Sequence, residues 1–197
     1  MQTNNLVLAS SSKYRKTLLE KLRLNFICAD PGIDESSKKN ENPKQLALRL
    51  AKEKAHALVP DYPGHLIIAS DQVAILDQVQ LQKPGNRQNA IKQLQLSSGS
   101  KVIFYTSVCI LNSATNEIKY DLDSCTVYFK KLNDQQIKNY VDLEKPYGCA
   151  GSFKSEGLGI ALFERIEGDD PNALIGLPLI KLIGLLDAFN IDVLKNK

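Results

Sequence analysis

The sequence predicts an α/β fold with a mixed twisted sheet and flanking helices. Helical periodicity alternates with short apolar runs in the first half of the chain, and long β-prone stretches follow each other after residue 101. The 197 residues are 43% hydrophobic and 24% charged, which is typical of a globular chain with a substantial core. This balance excludes a disordered, collagenous or coiled-coil chain. We expect one domain over residues 1–197.

The chain opens as a strand, a serine turn and a helix. Leu6–Ala9 is an apolar run typical of a buried strand, and Lys13–Leu24 has apolar residues at helical spacing. Any of the three serines between them could cap the helix. A second strand is predicted at Phe26–Ala29, and the polar, turn-rich residues 30–42 predict a loop.

A second helix is predicted to begin at Pro43 and to end before Pro60. Asn42 and Gln45 have the spacing of a capping box around its first turn. The apolar run Leu66–Ala69 predicts a strand buried on both faces, ending at Ser70-Asp71-Gln72. The later elements follow from the same patterns. They are a hairpin of Val73–Leu76 with Val79–Leu81, helices at Asn89–Leu96, Asp134–Leu143 and Gly176–Phe189, a β pair at Val102–Leu111 and Ile118–Phe129, a loop at Gly148–Gly159, and a strand at Ile160–Ile166.

Charge and cysteine usage exclude several function classes. The 25 Lys and Arg exceed the 22 Asp and Glu by only three, too mild an excess to predict nucleic-acid binding. The four scattered cysteines form no CxxC unit, and the chain has only two histidines, so we expect no structural zinc site. We predict a cytoplasmic protein from three features. The scattered cysteines are typical of reduced thiols, Met1–Ala9 has neither a basic region nor a long apolar run, and no apolar run is long enough to span a membrane.

The turn after the first strand has the features of a phosphate site. Ser10 and its two neighbouring serines supply hydroxyls and backbone N–H groups at a helix N-terminus, and Arg15 supplies a guanidinium. The pattern is not a glycine-rich P-loop. A plain serine cap with a solvated arginine is the alternative interpretation.

Four further charged residues are candidates. Asp71 follows a buried strand, where a carboxylate can hold a metal or act as a base, or simply cap the strand. Lys54 lies beside the apolar stripe of its helix, where it could also snorkel to solvent. Glu35 is a loop acid, and Glu156 lies among small residues that allow a ligand to approach. Both also fit a solvated loop, and Lys83 after the hairpin is a weak candidate.

Seven short motifs, in order over nearly the whole chain, resemble those of the Maf family. They are Ala9-Ser10-Ser11-Ser12-Lys13-Tyr14-Arg15, Ile33-Asp34-Glu35, Arg49-Leu50-Ala51-Lys52-Glu53-Lys54-Ala55, Ser70-Asp71-Gln72-Val73, Lys83-Pro84, Ala150-Gly151-Ser152-Phe153 and Gly176-Leu177-Pro178. Within the family, the segments 70–72 and 151–157 resemble the YceF subfamily of bacterial proteins.

The resemblance implies an enzyme. Maf proteins are nucleoside triphosphate pyrophosphatases, hydrolases of phosphoanhydride bonds, and the YceF branch is associated with 7-methyl-GTP. The implied fold is that of inosine triphosphate pyrophosphatases, with two lobes around a central cleft. We therefore expect hydrolysis of 7-methyl-GTP to 7-methyl-GMP and diphosphate, which would serve nucleotide-pool house-cleaning. We expect no nucleic-acid or membrane partner, and a homodimer is possible.

The resemblance also assigns roles to the candidates. It places phosphate binding on Ser10, Arg15, Lys54 and Lys83. It makes Glu35 and Asp71 the catalytic acids that organise a divalent cation (Mg²⁺, Mn²⁺ or Co²⁺), with Asp71 as the base.

Base selection falls on Tyr14, Gln72 and Glu156 by the same resemblance. An ionised Glu156 accepts hydrogen bonds only, which suits the two donors on one edge of guanine. The Tyr14 ring can stack on a purine, and N7 methylation adds a cation–π attraction of roughly 0.5–2 kcal/mol. Two residues depart from the pattern, because the subfamily has Trp at position 14 and the family has Pro at position 13. Lys13 therefore receives no role.

Two other functions remain open from the sequence. The same reaction could act on pyrimidine or other noncanonical nucleotides, although Glu156 and Gln72 favour a guanine-like base. The chain could instead be a nucleotide-binding regulator, because the Maf name is tied to inhibition of septum formation.

Overall fold

The computed structural model of the chain describes residues 5–195 and divides it into two compact units. The first unit contains the described residues up to Gln72 together with 106–123 and the described residues from Asp170 onwards. The second contains 73–105 and 124–169. Residues 1–4, part of the Met1–Ala9 segment used above to predict the compartment, lie outside the described residues. Among the described helices, none is long and apolar enough to cross a membrane.

Seven strands and five α-helices form the described chain. The strands are β1 Leu6–Ala9, β2 Phe26–Ala29, β3 Leu66–Leu76, β4 Val79–Leu81, β5 Lys101–Asn112, β6 Ile118–Phe129 and β7 Phe163–Glu167. The helices are α1 Lys13–Glu20, α2 Pro43–Ala57, α3 Arg87–Ser97, α4 Asp134–Glu144 and α5 Leu179–Asp187. Short 3₁₀ turns lie at Ala150–Ser152, Leu158–Leu162 and Ala173–Ile175.

The sheet is mixed, as the sequence predicts. Its strand order is β2-β1-β3-β5-β6-β7, and β4 pairs with β3 outside that path. Strand β1 runs parallel to β2 and β3, whereas β4 is antiparallel to β3 and β7 is antiparallel to β6. The three long strands β3, β5 and β6 each have one end in the first unit and the other end in the second.

The first unit buries both faces of strand β1, which explains its unbroken apolar sequence. Leu6 and Leu8 pack in a cluster with residues of α1 and α5, whereas Val7 and Ala9 pack in a second cluster with Ala51 and Ala55 of α2. Side chains alternate between the faces of a strand, so each face receives every second residue. The two helix layers therefore hold the end of β1, where Ser10 follows, in a fixed position.

The second unit has an aromatic cluster in its core. Phe153 packs edge-to-face against Phe104, Phe129 and Phe163, with ring centroids 4.8–5.7 Å apart. Gly151 has φ +76°, and a Cβ at this residue would lie 3.1 Å from the Phe104 ring. The motif residues Gly151 and Phe153 are thus explained by backbone conformation and core packing.

Several predicted boundaries are wrong. The last helix begins at Leu179 instead of Gly176 and ends at Asp187 instead of Phe189. Helix α1 ends at Glu20 instead of Leu24, because the chain turns at Arg23, which has φ +54°. The strand predicted at Ile160–Ile166 begins only at Phe163, since Leu158–Leu162 forms a 3₁₀ turn. Strand β3 does not end at residues 70–72 but continues to Leu76, so Asp71 lies within the strand.

Candidate active site

The serine turn after β1 combines a helix cap with a buried hydroxyl. Ser12 is the N-cap of α1 and accepts a hydrogen bond from the Arg15 backbone N–H at 3.4 Å. Ser10 is only 5% exposed, and its Oγ accepts the Ser12 N–H at 3.1 Å. The polar groups of this turn therefore lie at the N-terminus of α1, as the sequence predicts for a phosphate site.

Arg15 is anchored through the motif Gly176-Leu177-Pro178. Its Nε donates to the Gly176 carbonyl oxygen at 2.9 Å, and its Nη1 lies 3.5 Å from Ser10 Oγ. The same carbonyl accepts the Ser70 hydroxyl at 2.8 Å. Burial lowers the pKa of the Arg15 guanidinium, and the nearby Asp71 and Glu35 carboxylates oppose that shift. Arg15 is thus a positioned cation, not the solvated arginine of the alternative interpretation.

Lys54 lies between two carboxylates. Its Nζ is 2.6 Å from Asp71 Oδ1 and 2.5 Å from Glu35 Oε1. The Lys54 and Asp71 side chains are 5% and 8% exposed, whereas Glu35 is 50% exposed. A buried ammonium needs such partners, so Lys54 does not snorkel to solvent. Glu35 is likewise not simply a solvated loop acid.

The environment of Asp71 raises its pKa above the ordinary value of an aspartate. Burial in β3 is the main cause, and Lys54 and Arg15 act in the opposite direction. The backbone is also held, because the Asp71 N–H donates to Ser107 Oγ at 3.3 Å. The Ser107 hydroxyl donates to the Ala47 carbonyl of α2 at 2.6 Å. Asp71 is therefore a fixed acid whose charged form is disfavoured by burial, an effect that the neighbouring cations partly oppose.

The Gln72 side chain has a defined orientation. Its Nε2 lies 2.9–3.1 Å from the carbonyl oxygens of Ala173 and Leu174 and 3.0 Å from Thr106 Oγ1. Only an amide nitrogen can donate to carbonyl oxygens, so these contacts fix which way the amide faces. The side-chain oxygen Oε1 of Gln72 therefore lies on the opposite side of the amide from these contacts, where it can accept a hydrogen bond.

Tyr14 is partly exposed on α1 beside the cation that precedes it. The Lys13 Nζ lies 5.2 Å from the centroid of the Tyr14 ring. This distance is within the range of a cation–π contact. The two residues that depart from the family pattern are therefore in contact with each other.

The remaining two candidates, Lys83 and Glu156, belong to the second unit. Lys83 is exposed two residues after β4, and Glu156 is exposed in the turn at 155–157. The Glu144 carboxylate holds that turn, accepting the Leu158 N–H at 2.9 Å and pairing with Lys154 at 3.3 Å. A Cβ at Gly157 would lie 2.9 Å from Glu144 Oε1, so a larger residue there would displace this carboxylate.

The carboxylates of the site suit a metal ion whose remaining ligands come from the substrate. Within residues 5–195, no group of three or more His, Cys, Asp or Glu side chains could hold a metal by itself. Asp71 and Glu35, however, both contact one nitrogen atom, so their carboxylates can share a small cation. Mg²⁺ is commonly bound by one or two carboxylates together with substrate phosphates and water. The two residues therefore fit a divalent metal of this kind.

Comparison with known proteins agrees with the motifs and their geometry. The family model described as "Maf-like protein" matches residues 5–189. The chain belongs to the Maf family. The resemblance stated from the seven motifs is therefore confirmed.

Several relatives within the Maf family are similar over nearly the whole chain. A protein of Colwellia psychrerythraea named "7-methyl-GTP pyrophosphatase" is 53% identical over 189 residues, which cover 96% of this chain and 94% of the relative. A protein of Alcanivorax borkumensis with the same name is 52% identical over 192 residues, which cover 98% of each. At this identity and coverage, the relatives align with both units.

A solved structure supports the fold class. The Ham1 protein of Staphylococcus aureus matches with a TM-score of 0.50 and 13% identity, covering 94% of this chain and 97% of that chain. The likeness concerns the fold and confirms the predicted mixed α/β class.

Sequence reasoning missed the residues that position the candidates. The contacts of the Gly176 carbonyl, Ser107, Thr106 and Glu144 described above were not predicted from the sequence. Only Gly176 gave a signal, as the first residue of a Maf motif. Its φ of +121° favours glycine, and this backbone conformation directs its carbonyl to Arg15 and Ser70.

Proposed function

We propose that this Maf protein hydrolyses 7-methyl-GTP to 7-methyl-GMP and diphosphate, removing a modified nucleotide from the cellular pool. The observation that carries the proposal is the Lys54 ammonium held between Glu35 and Asp71, next to Arg15. Relatives more than 50% identical over nearly the whole chain are named for this reaction. A buried acid beside fixed cations suits attack of water on a phosphate.

Phosphate binding is assigned to Ser10, Arg15, Lys54 and Lys83. Ser10 and Arg15 lie at the positive N-terminus of α1, which attracts anions. Two carboxylates balance the positive charge of Lys54 in the described structure. A phosphate that binds Lys54 therefore takes the place of one or both of them. Together these groups offset the charge of the triphosphate and stabilise the departing diphosphate.

Asp71 is assigned as the general base. Water attacks the α phosphorus, the bond from that phosphorus to the oxygen bridging to the β phosphorus breaks, and diphosphate leaves. The Asp71 carboxylate accepts the proton of the attacking water. Its raised pKa makes it a stronger base than an exposed aspartate, while Lys54 and Arg15 favour its ionised form.

The Maf resemblance implies a divalent cation (Mg²⁺, Mn²⁺ or Co²⁺), and we assign its binding to Glu35 and Asp71. When bound, such a cation neutralises charge that develops on phosphate oxygens. Glu35, on its loop, holds its carboxylate beside Lys54 and the Asp71 side chain. Because Glu35 is half exposed, it can change partners when a substrate arrives.

Recognition of the base is assigned to Tyr14, Gln72 and Glu156. Tyr14 stacks on the purine ring, and the methyl group at N7 makes that ring cationic, which strengthens the attraction. Glu156 accepts hydrogen bonds from the donors on the guanine edge, and Gln72 presents an acceptor oxygen. Pyrimidines offer one donor between two acceptors and suit this set less well.

We further propose that the enzyme works in the cytoplasm and forms a homodimer. The four cysteines are free thiols, as expected in a reducing compartment. The dimer is an expectation from the Maf resemblance. Light scattering of the purified chain across a concentration series tests it, with a mass of two chains expected and a mass of one chain contradicting it.

The proposed reaction is tested by product analysis. The purified protein is incubated with Mg²⁺ or Mn²⁺ and a panel of 7-methyl-GTP, GTP, UTP and dTTP, and the products are separated by ion exchange. We expect diphosphate and a nucleoside monophosphate, formed fastest from 7-methyl-GTP. Tight nucleotide binding without release of diphosphate would contradict the proposal and favour the regulator.

A further inference from the structure

A guanidinium outside the proposed catalytic set holds the loop that carries Glu35. Arg49 of α2 is only 16% exposed at its side chain. Its Nε and Nη2 form a two-bonded pair with the Glu41 carboxylate at 2.6 and 2.8 Å, and its Nη1 binds Glu53 at 2.7 Å. Its Nη2 also donates to the Ser36 carbonyl oxygen at 2.9 Å. We call Ser36, Glu41, Arg49 and Glu53 the Arg49 cluster.

The Arg49 cluster fixes both ends of the segment that follows Glu35. Residues 30–42 contain no helix or strand, so this loop depends on such side-chain contacts for its position. The cluster holds the loop at Ser36, next to Glu35, and again at Glu41. The Glu41 carboxylate also accepts the Lys38 backbone N–H at 3.0 Å.

The charges of the cluster are matched to this role. The Arg49 guanidinium lowers the pKa of Glu41 to about 2, and Glu41 in turn raises the pKa of Arg49. Both groups therefore stay charged near neutral pH. A guanidinium holds two carboxylates and a carbonyl at fixed angles, which a lysine ammonium cannot do in the same way.

We infer that Arg49 is a positioning residue that keeps the Glu35 carboxylate beside Lys54 and Asp71, and thereby sets the affinity for a divalent cation. This inference rests on the proposed role of Glu35. In this role Arg49 acts on Glu35 through its bond with the carbonyl oxygen of the neighbouring Ser36. The helix also has supports outside the cluster, because Asn42 and Gln45 cap it and its apolar face is buried.

The test compares Arg49→Gln with Arg87→Gln. Arg87 forms an equivalent two-bonded pair with Asp142, at 2.6 and 2.8 Å, outside the proposed catalytic set. Mn²⁺ binding without nucleotide is measured by electron paramagnetic resonance, together with hydrogen exchange of the amides at 36–41. We expect Arg49→Gln to weaken Mn²⁺ binding about 10- to 100-fold and to speed exchange at 36–41, with no change in Arg87→Gln. Arg49→Lys should fall between the unmodified protein and Arg49→Gln.

A second experiment asks whether Arg49 acts through Glu35. Turnover of 7-methyl-GTP is measured for Arg49→Gln, Glu35→Gln and the double variant. We expect Arg49→Gln to lower kcat about 10- to 100-fold in the unmodified background, and less than about twofold when Glu35 is already Gln. The inference is overturned if the losses multiply, or if Mn²⁺ binding and exchange match the Arg87→Gln control. Failure of the proposed function would appear differently, as absence of diphosphate from every nucleotide with the unmodified protein.

Discussion

Two acidic side chains that we propose for the reaction have opposite surroundings. Asp71 lies in the part of the long strand β3 that belongs to the first unit, is 6% exposed, and pairs with Lys54. Glu156 lies in an exposed turn of the second unit, which the Glu144 carboxylate holds through the backbone of Leu158. The acid proposed for chemistry is fixed by the sheet, and the acid proposed for base recognition is fixed only through its loop. This difference predicts that variants of the two acids fail in different ways.

The largest expected effect is that of Asp71→Asn. Loss of the proposed base should lower kcat by about 10²- to 10⁴-fold. The fold should be largely preserved, because relief of the buried charge of Asp71 is offset by the loss of one of the two carboxylate partners of Lys54. Asp77→Asn is the matched control, since Asp77 is exposed in the turn after β3 with φ +54°, which asparagine tolerates. An unchanged rate in Asp71→Asn would rule out this residue as the base.

Glu156→Gln should instead change which nucleotide is preferred. The amide replaces one acceptor oxygen by a donor, so one hydrogen bond to the guanine edge is lost. We expect the kcat/KM ratio of 7-methyl-GTP to UTP to fall about tenfold or more, with the melting temperature unchanged. Glu164→Gln, an exposed acid of β7, serves as the control. Equal losses for both nucleotides would show that Glu156 has no part in base recognition.

Lys13→Ala should have a smaller effect in the opposite direction. The Lys13 ammonium lies by the Tyr14 ring and disfavours a second cation at that ring. Its removal should raise the preference for 7-methyl-GTP over GTP by about two- to fivefold, an estimate from the energy of an exposed cation–π contact. Lys16→Ala, further along α1, is the control, and a lower or unchanged ratio in Lys13→Ala would contradict the stacking role of Tyr14.

The smallest expected effect concerns the loop of Glu35 and its pH dependence. The pKa of Glu41 is about 2 in the folded protein against an ordinary value of 4.5, through its bonds with Arg49. An acid whose pKa is lower in the folded protein than in the unfolded protein stabilises the fold. This stabilisation is complete at a pH above the pKa of the unfolded state, and it is lost as the pH falls through the pKa of the folded state. Glu41 also faces Lys38 and, across Arg49, Glu53.

Glu41→Gln should therefore melt about 2–4 °C below the unmodified protein at pH 7, the range expected for a partly buried ion pair. The difference should shrink as the pH falls from 4.5 towards 2. Thermal melts of both proteins across this range make the measurement. A difference that does not depend on pH would show that the charge of Glu41 is not what holds the loop.

Local patterns predicted most of the elements in the first unit. The capping box of α2 is present as expected, with reciprocal bonds between Asn42 and Gln45, because a cap depends only on neighbouring residues. The predicted end of β3 was wrong because it depends on contacts between residues far apart in the sequence. Ser70 and Asp71 appear polar in the sequence, but their side chains bond to Gly176 and Lys54, so the strand continues through them.

The candidate site was predictable in its residues but not in its contacts. The Maf motifs name Glu35, Lys54 and Asp71 separately, whereas their convergence depends on how α2 and β3 pack. Arg49 and Glu53 lie in a Maf motif, but nothing in the sequence pairs them with Ser36 and Glu41, which resemble ordinary loop residues. Long-range pairing of charged side chains is the information that local patterns lack.

The most direct test of the account is where the oxygen of water enters the products. The unmodified protein hydrolyses 7-methyl-GTP in water enriched in ¹⁸O with Mg²⁺ present, and both products are examined by mass spectrometry. Attack at the α phosphorus predicts that the label enters 7-methyl-GMP and not diphosphate. Label in diphosphate, or release of orthophosphate, would contradict the proposed reaction.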